Sequence, residues 1–305
     1  MADQPWQWFG LSPSQGRLRH EAELFAATPW PILITGERGT GKTALARVIH
    51  CLSGRQGAFT KQCAPEFATD TGIAELHGHS AGAFTGAVRD RKGLLESANR
   101  GTFFLDEIGV ASPGLQQLLL RLLEDPEVRR MGDDRPRPLG VRFIAATNED
   151  LEAAIEEGRF RFDLLDRFGY FRLKVPALRE RPEEILPLAL GFLRQAAECL
   201  AKPAPDLSPD AAELLERNPW PGNVRQLQFA CRIAVTMTPA GERITAASLP
   251  DELQRPSGRL TAERVREWIA SESGNLSRAA RKNGYTDRHL RRILNEDTPD
   301  AQTGT

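Results

Sequence analysis

Little in this chain points to a metal centre, a membrane or a secretory route. The four cysteines, Cys51, Cys63, Cys199 and Cys231, include no C-x-x-C pair and no finger spacing, which argues against a disulfide framework and a zinc module and leaves buried or idle reduced thiols. No apolar run approaches the length that spans a bilayer. The first residues, Met1-Ala2-Asp3-Gln4-Pro5-Trp6, hold no basic stretch leading into an apolar one, so secretion is not expected and the chain reads as cytoplasmic. An excess of charge of one sign is lacking too. Forty Lys plus Arg face forty-one Asp plus Glu, a net charge of -1, which speaks against a uniformly basic nucleic-acid coat and against an acidic disordered chain. Internal repeats and long low-complexity tracts are absent.

What remains is 305 residues, 40% hydrophobic and 27% charged, enough for a sizeable core in more than one domain. From Pro31 to Ala146 short apolar runs alternate with amphipathic segments, the pattern of an α/β layer fold. Residues 31–35, 101–105 and 141–146 read as strands buried on both faces, and the leucine-rich stretch from Leu115 to Leu123 reads as a helix covering the sheet. Between Leu178 and Leu253 no strand is evident, and proline-bearing breaks separate amphipathic helices. The expected division is therefore 1–175 as the α/β part, 176–253 as a helical subdomain, 254–259 as a polar linker, 260–296 as a last helical unit and 297–305 as a flexible tail.

Gly36-Glu37-Arg38-Gly39-Thr40-Gly41-Lys42-Thr43 matches G-x-x-x-x-G-K-[ST], with a buried strand before it and a helical segment, 44–50, after it. Glycines there let backbone N–H groups turn inward around phosphate oxygens at the positive end of a helix. Lys42 then reaches the β- and γ-phosphates, and the Thr43 hydroxyl ligates Mg²⁺. The second strand ends in Asp106-Glu107. Two carboxylates at the mouth of an apolar element need a cation or donors to receive them; Asp106 suits the Mg²⁺ shell and Glu107 suits polarising an attacking water. The third strand runs into Thr147-Asn148. Asn148 either orients that water and senses the γ-phosphate or caps the next helix.

At these residues the chain resembles the AAA+ ATPase activators of bacterial sigma-54 RNA polymerase over roughly residues 10–296. The most specific element of the resemblance is Gly82-Ala83-Phe84-Thr85-Gly86-Ala87, identical to the family's sigma-54-contacting loop. The resemblance implies an AAA+ P-loop core with a helical lid, using ATP and Mg²⁺. It also implies that Arg161 and Arg167, in Phe160-Arg161-Phe162-Asp163-Leu164-Leu165-Asp166-Arg167, serve as fingers on a neighbouring subunit's nucleotide, and hence a homo-oligomeric ring, expected to be a hexamer. On residue chemistry alone the two arginines are equally readable as surface salt-bridge partners. Trp220-Pro221-Gly222-Asn223-Val224-Arg225-Gln226-Leu227 resembles the second sensor segment, in which Arg225 reaches the phosphates from the lid and Asn223 suits a cap for its helix.

The chain also departs from the family pattern. Gln62 stands where the family's asparagine pairs with the catalytic glutamate, and His77 and Ser80 replace the usual Phe and Glu. His77 and His79 read as solvated or packing residues rather than as a metal pair. Few residues precede the ATPase segment, so the amino-terminal sensory domain of many relatives is expected to be missing, and control is expected from a regulatory protein in trans or from expression level. Trp6, Trp8 and Phe9 are available to dock such a partner or to pack on the ATPase domain.

In the last unit Val265, Trp268 and Ile269 share one helix face, Leu276, Ala279 and Ala280 mark a second short helix, and Leu290, Ile293 and Leu294 anchor a third. This is helix-turn-helix spacing, where the family carries a Fis-like unit. Nine basic residues face five acidic ones between Pro256 and Glu296. Arg288, His289, Arg291 and Arg292 cluster on the third helix as candidate readers of double-stranded DNA, or as a basic solvated helix end. The function read from all this is an ATP-dependent transcription activator that binds DNA upstream of promoters and remodels sigma-54 RNA polymerase into an open complex. Its rivals are a DNA-binding repressor that keeps the AAA+ fold, and an AAA+ motor acting on other DNA or protein.

Overall fold

The computed structural model describes residues 15–83, 87–169, 171–254, 262–272, 274–282, 290, 291 and 294. Contacts divide the chain into two compact units, residues 1–250 and 251–305. Along the first unit run α1 (Gly16–Ala26), β1 (Ile32–Thr35), α2 (Lys42–Leu52), β2 (Phe59–Cys63), α3 (Asp70–His77), β3 (Gly78–His79), β4 (Arg91–Lys92) and α4 (Leu94–Ser97). They are followed by β5 (Thr102–Asp106), α5 (Pro113–Glu124), β6 (Glu127–Val128), β7 (Arg137–Pro138), β8 (Arg142–Thr147), α6 (Leu151–Glu156), α7 (Phe162–Phe168) and β9 (Arg172–Lys174). Three longer helices close the unit: α8 (Ile185–Cys199), α9 (Pro209–Arg217) and α10 (Asn223–Met237).

Among the described residues five parallel strands form the main sheet, in the order β2-β5-β8-β1-β9. The three apolar runs read from the sequence are its centre, β5, β8 and β1, whose residues are buried almost throughout. The edge strands β2 and β9 are half-buried or exposed along much of their length, so their sequences carry no long apolar run. Alternation divides the core into two layers. Phe103, Leu105 and Phe143 pack with Leu115, Leu119 and Leu164 on one side. On the other side Phe104 and Ile144 pack with Leu18, Leu45 and Ile49. Buried Arg142 fastens α1 from below, its Nη1 donating to Ala26 O at 2.8 Å, and burial lowers its pKa to about 10.

Helix α5 shows why one of these layers forms. Ser112 caps it by accepting from Leu115 N at 3.3 Å, and Pro113 occupies its first turn. Leu115, Leu118, Leu119 and Leu122 then lie on one buried stripe. In the all-helical part α8 and α10 pack together around Leu188, Leu193, Leu227 and Ala234. Trp220 is wholly buried beside them, its indole N–H donating to Leu215 O at 2.9 Å. Among the described residues of 178–254 strand pairing is limited to a bridge between Leu207 and Ile244.

The second unit contains α11 (Asp251–Gln254), α12 (Ala262–Ser271) and α13 (Leu276–Lys282). Val265 and Leu290 are buried, with Trp268, Ile269, Leu276 and Leu294 packed against them. Among the described residues no helix is long and apolar enough to cross a membrane.

Candidate nucleotide site

Parallel strands deliver all their carboxy-terminal ends to one edge of the sheet, where ligands of open α/β folds bind. Thr35 at the end of β1 opens into the glycine-rich loop, and α2 begins at Lys42 with Gly41 as its N-cap, at φ +106° and with no side chain to cap it. Gly39, at φ +78°, is required by close approach as well as by backbone conformation. A Cβ there would lie 2.4 Å from Gly222 O on the lid, and Arg225 N donates to Gly39 O at 3.3 Å.

Lys42 is nearly enclosed, its Nζ donating to Gly36 O at 2.6 Å and Glu37 O at 2.9 Å. Burial lowers its pKa; Asp106 opposes that shift, and Arg225 adds to it. The Thr43 hydroxyl donates to Asp106 Oδ2 at 3.4 Å. Glu107 follows at φ +57°, a left-handed conformation uncommon for a residue with a side chain. Its carboxylate meets Arg38 Nη2 at 3.4 Å and Cys63 Sγ at 3.8 Å. Lys42, Thr43, Asp106, Glu107, Asn148 and Arg225 line one cleft of about 270 Å³, together with Arg38, Gly39 and Gly41.

Not every residue of the loop motif faces that cleft. Glu37 turns to the lid side and takes Arg179 in a two-pronged pair at 2.8 and 2.6 Å. Asn223 Nδ2 joins it at 3.1 Å, and the arginine and amide together hold the Glu37 carboxyl down to about 2. Thr40 Oγ1 donates to Glu37 O at 2.9 Å, and Thr40 O accepts from buried Arg181 at 2.8 Å. Gly36 is pressed against Val175, whose carbonyl a Cβ would meet at 2.5 Å.

Asn148 does not cap α6, whose cap is Asp150, accepting from Ala153 N at 3.1 Å; Asn148 lines the cleft instead. Asn223 does not cap α10. Gly222 is the N-cap, and Asn223 is the first helical residue, buried at φ +53°. Its Oδ1 accepts from Leu178 N at 2.8 Å, and its Nδ2 also reaches Arg38 O at 3.0 Å. In this structure it is Cys63, next to Gln62, that meets Glu107. The side chains of a strand alternate, so Lys61 and Cys63 share a face of β2 and Gln62 points to the other. Burial raises the Cys63 pKa, and the charges of Glu107 and Asp106 raise it further, keeping the thiol a proton donor.

Arg161, the N-cap residue of α7, and Arg167, in its last turn, lie outside this chain's own cleft. Arg161 pairs with Asp163 at 2.9 and 2.6 Å, and Arg167 pairs with Glu124. Buried Gln116 holds the Arg161 backbone, accepting from its N–H at 2.9 Å. At the loop of 82–87, Gly82 N donates to Ala87 O at 2.7 Å, and Ala81 N donates to Asp90, which Arg130 also holds. Phe84, Thr85 and Gly86 lie outside the described residues, as do Trp6, Trp8, Phe9, Arg288, His289 and Arg292; Arg291 is exposed. His77 meets Arg129 O at 3.0 Å.

A family model described as the Sigma-54 interaction domain matches residues 9–176, more than half of the chain. This chain is a member of the sigma-54 interaction domain family. A second model, the AAA+ ATPase lid domain, matches residues 179–265 of this sigma-54 interaction domain protein, and the α/β sheet with its helical lid is the AAA+ fold. The anaerobic nitric oxide reductase transcription regulator NorR of Aeromonas hydrophila subsp. hydrophila is 44% identical over 242 residues, covering 78% of this chain and 47% of the relative. NorR of Escherichia coli strain SE11 is 44% identical over 238 residues, covering 77% and 47%. The chain thus spans about half the length of the curated relatives it matches. The crystal structure of NtrX from Brucella abortus in complex with ADP superposes with a TM-score of 0.72 at 31% identity, covering 94% of this chain and 68% of that one. The complex of the same protein with ATP gives 0.70 at 33%, with the same coverage.

Sequence reading missed Lys61 and Cys63 in the sigma-54 interaction domain and Arg179 and Arg181 in the lid. Lys61 Nζ stands 3.3 Å from Thr43 Oγ1 and 3.5 Å from Asp106 Oδ2. The available signal was period-two alternation leading away from Gln62, in an edge strand with too few apolar residues to announce itself.

Proposed function

We propose that this chain is an ATP-hydrolysing activator of sigma-54 RNA polymerase, and the observation that carries the reading is the convergence of Lys42, Thr43, Asp106, Glu107, Asn148 and Arg225 on one cleft. Lys42 and Arg225 bring positive charge to a polyphosphate, and Glu107 accepts a proton from an attacking water. The hydroxyl of Thr43 and the carboxylate of Asp106 are hard oxygen donors within one hydrogen bond of each other. They fit Mg²⁺, which takes few protein ligands and keeps water and phosphate oxygens for the rest; bound there, it would neutralise phosphate charge.

In this reading Arg161 and Arg167 complete the site of the next subunit in a ring, taken to be a hexamer. Hydrolysis moves the loop of Gly82, Ala83, Phe84, Thr85, Gly86 and Ala87 against sigma-54. Residues 260–296 hold the chain on DNA upstream of the promoter through Arg288, His289, Arg291 and Arg292. The cellular setting of such an activator is the cytoplasm.

The test is open-complex formation by sigma-54 holoenzyme on a dependent promoter, with and without ATP. Glu107→Gln should lose about 10²–10⁴-fold in ATPase rate while still binding nucleotide. Phe84→Ala should hydrolyse ATP and fail to open the promoter. A chain that represses without ATP would favour the repressor reading, and ATP-driven remodelling of other substrates with no promoter opening would favour the motor.

A further inference from the structure

We propose that Lys61 is a tethered cation that competes with Mg²⁺ for Thr43 and Asp106, and so sets the magnesium concentration at which this chain takes up nucleotide. The inference rests on the nucleotide-site reading above and deepens it. Register and alternation place the ammonium: Cys63 pairs with Asp106 across β2 and β5, and Lys61 lies two residues earlier on the same strand face. Its Nζ stands 3.5 Å from Asp106 Oδ2 and 3.3 Å from Thr43 Oγ1, while those two oxygens are 3.4 Å from each other. The amine therefore sits on the very pair of donors that suits the metal.

Other groups around the cleft make their hydrogen bonds elsewhere. Lys42 is enclosed and donates to carbonyls of its own loop. Arg38 and Cys63 both lean on Glu107. Among the described residues Lys61 is the cation whose side chain reaches both Thr43 Oγ1 and Asp106 Oδ2, and it is 44% exposed against 22% for Asp106. An ammonium on a flexible four-carbon stem, half in water, can release its oxygens and be rehydrated at modest cost. Mg²⁺ sheds water reluctantly and needs close to ideal octahedral geometry. It must therefore draw Asp106 Oδ2 away from a like-charged neighbour that remains attached a few ångströms away. Solvent screening at a half-exposed site reduces this competition to a modest factor rather than a block.

The experiment is binding of N-methylanthraniloyl-ATP to the full chain, followed by fluorescence across a buffered series of free Mg²⁺. Lys61→Met should lower the Mg²⁺ concentration at half-saturation by about 3–10-fold. Lys61→Arg, which keeps the charge, should stay close to wild type, and binding in the presence of EDTA should be the same for all three proteins. An unchanged half-saturation in Lys61→Met would overturn the proposal. So would a raised one, which would make Lys61 a support for bound nucleotide instead of a rival to the metal. A wild-type chain that binds the probe at no Mg²⁺ concentration would overturn the underlying nucleotide reading, an outcome distinct from both.

Discussion

At Cys63 a single side chain stands between the Glu107 carboxylate and the edge strand. A thiol is a weak donor, and burial beside two carboxylates keeps it protonated, so its 3.8 Å contact orients Glu107 without drawing off its charge. Removing it in Cys63→Ala leaves Arg38, a largely exposed arginine, as the remaining described partner of that carboxylate. The expected result is a fall in kcat of no more than about fivefold, the scale of one weak hydrogen bond, with nucleotide affinity unchanged. Steady-state hydrolysis alongside equilibrium nucleotide binding checks this. A loss confined to affinity would move Cys63 from Glu107 to the binding surface. The same residue marks where sequence reading ran out. Strands β1, β5 and β8 announce themselves by apolar runs and so reveal Thr43, Asp106, Glu107 and Asn148 at their ends. β2 lies at the sheet edge, where none of its residues is fully buried, and without its register the residue that meets Glu107 could not be named.

Between elements, the glycine-rich loop and the lid are joined by side chains far apart in sequence. Glu37 takes Arg179 and Asn223, and Arg181, buried against Glu184, reaches Thr40 O. None of this was legible locally. Glu37 reads as one more loop residue and Asn223 as a helix cap, because the partner that redirects each lies well over a hundred positions away. Glu37 supplies a pH test. Its carboxyl is held near 2 against an ordinary 4.5, so the clamp is complete above pH 4.5 and is lost as pH falls from there towards 2. Both partners of the Glu37–Arg179 pair are about half exposed, so the contribution is small and salt-sensitive. Glu37→Gln should flatten the acid limb of the thermal-unfolding profile in that window, measured by circular dichroism. An unaltered acid limb would show that the pair does not couple loop to lid.

At the scale of the molecule, Arg161 and Arg167 at the two ends of α7 stand outside the cleft of their own chain, their guanidinium groups paired with the surface carboxylates of Asp163 and Glu124. Exposed pairs of this kind contribute about 0–1 kcal/mol and are cheaply given up for a phosphate. If they act on a neighbour, defects at Lys42 and at Arg167 belong to different subunits of one site. Lys42→Ala and Arg167→Ala chains, each inactive alone, should then recover part of the ATPase rate when mixed, since some interfaces in the mixed ring combine an intact cleft with an intact arginine. The full effect of a finger is about 10³–10⁵-fold, so even a small fraction of such interfaces is measurable. A mixture no more active than its components would place the arginines in a structural role.

The approach of Gly39 to Gly222 has a kinematic consequence. Backbone lies on backbone there with no room for a methyl group, and the bond from Arg225 N to Gly39 O runs across the same seam. Sliding the lid along the loop would drive one main chain into the other. That contact disfavours shear, so the expected motion of the lid is a hinge rotation. Such a rotation would carry Arg225 out of the cleft along an arc, so that any signal it transmits would arrive as an angle.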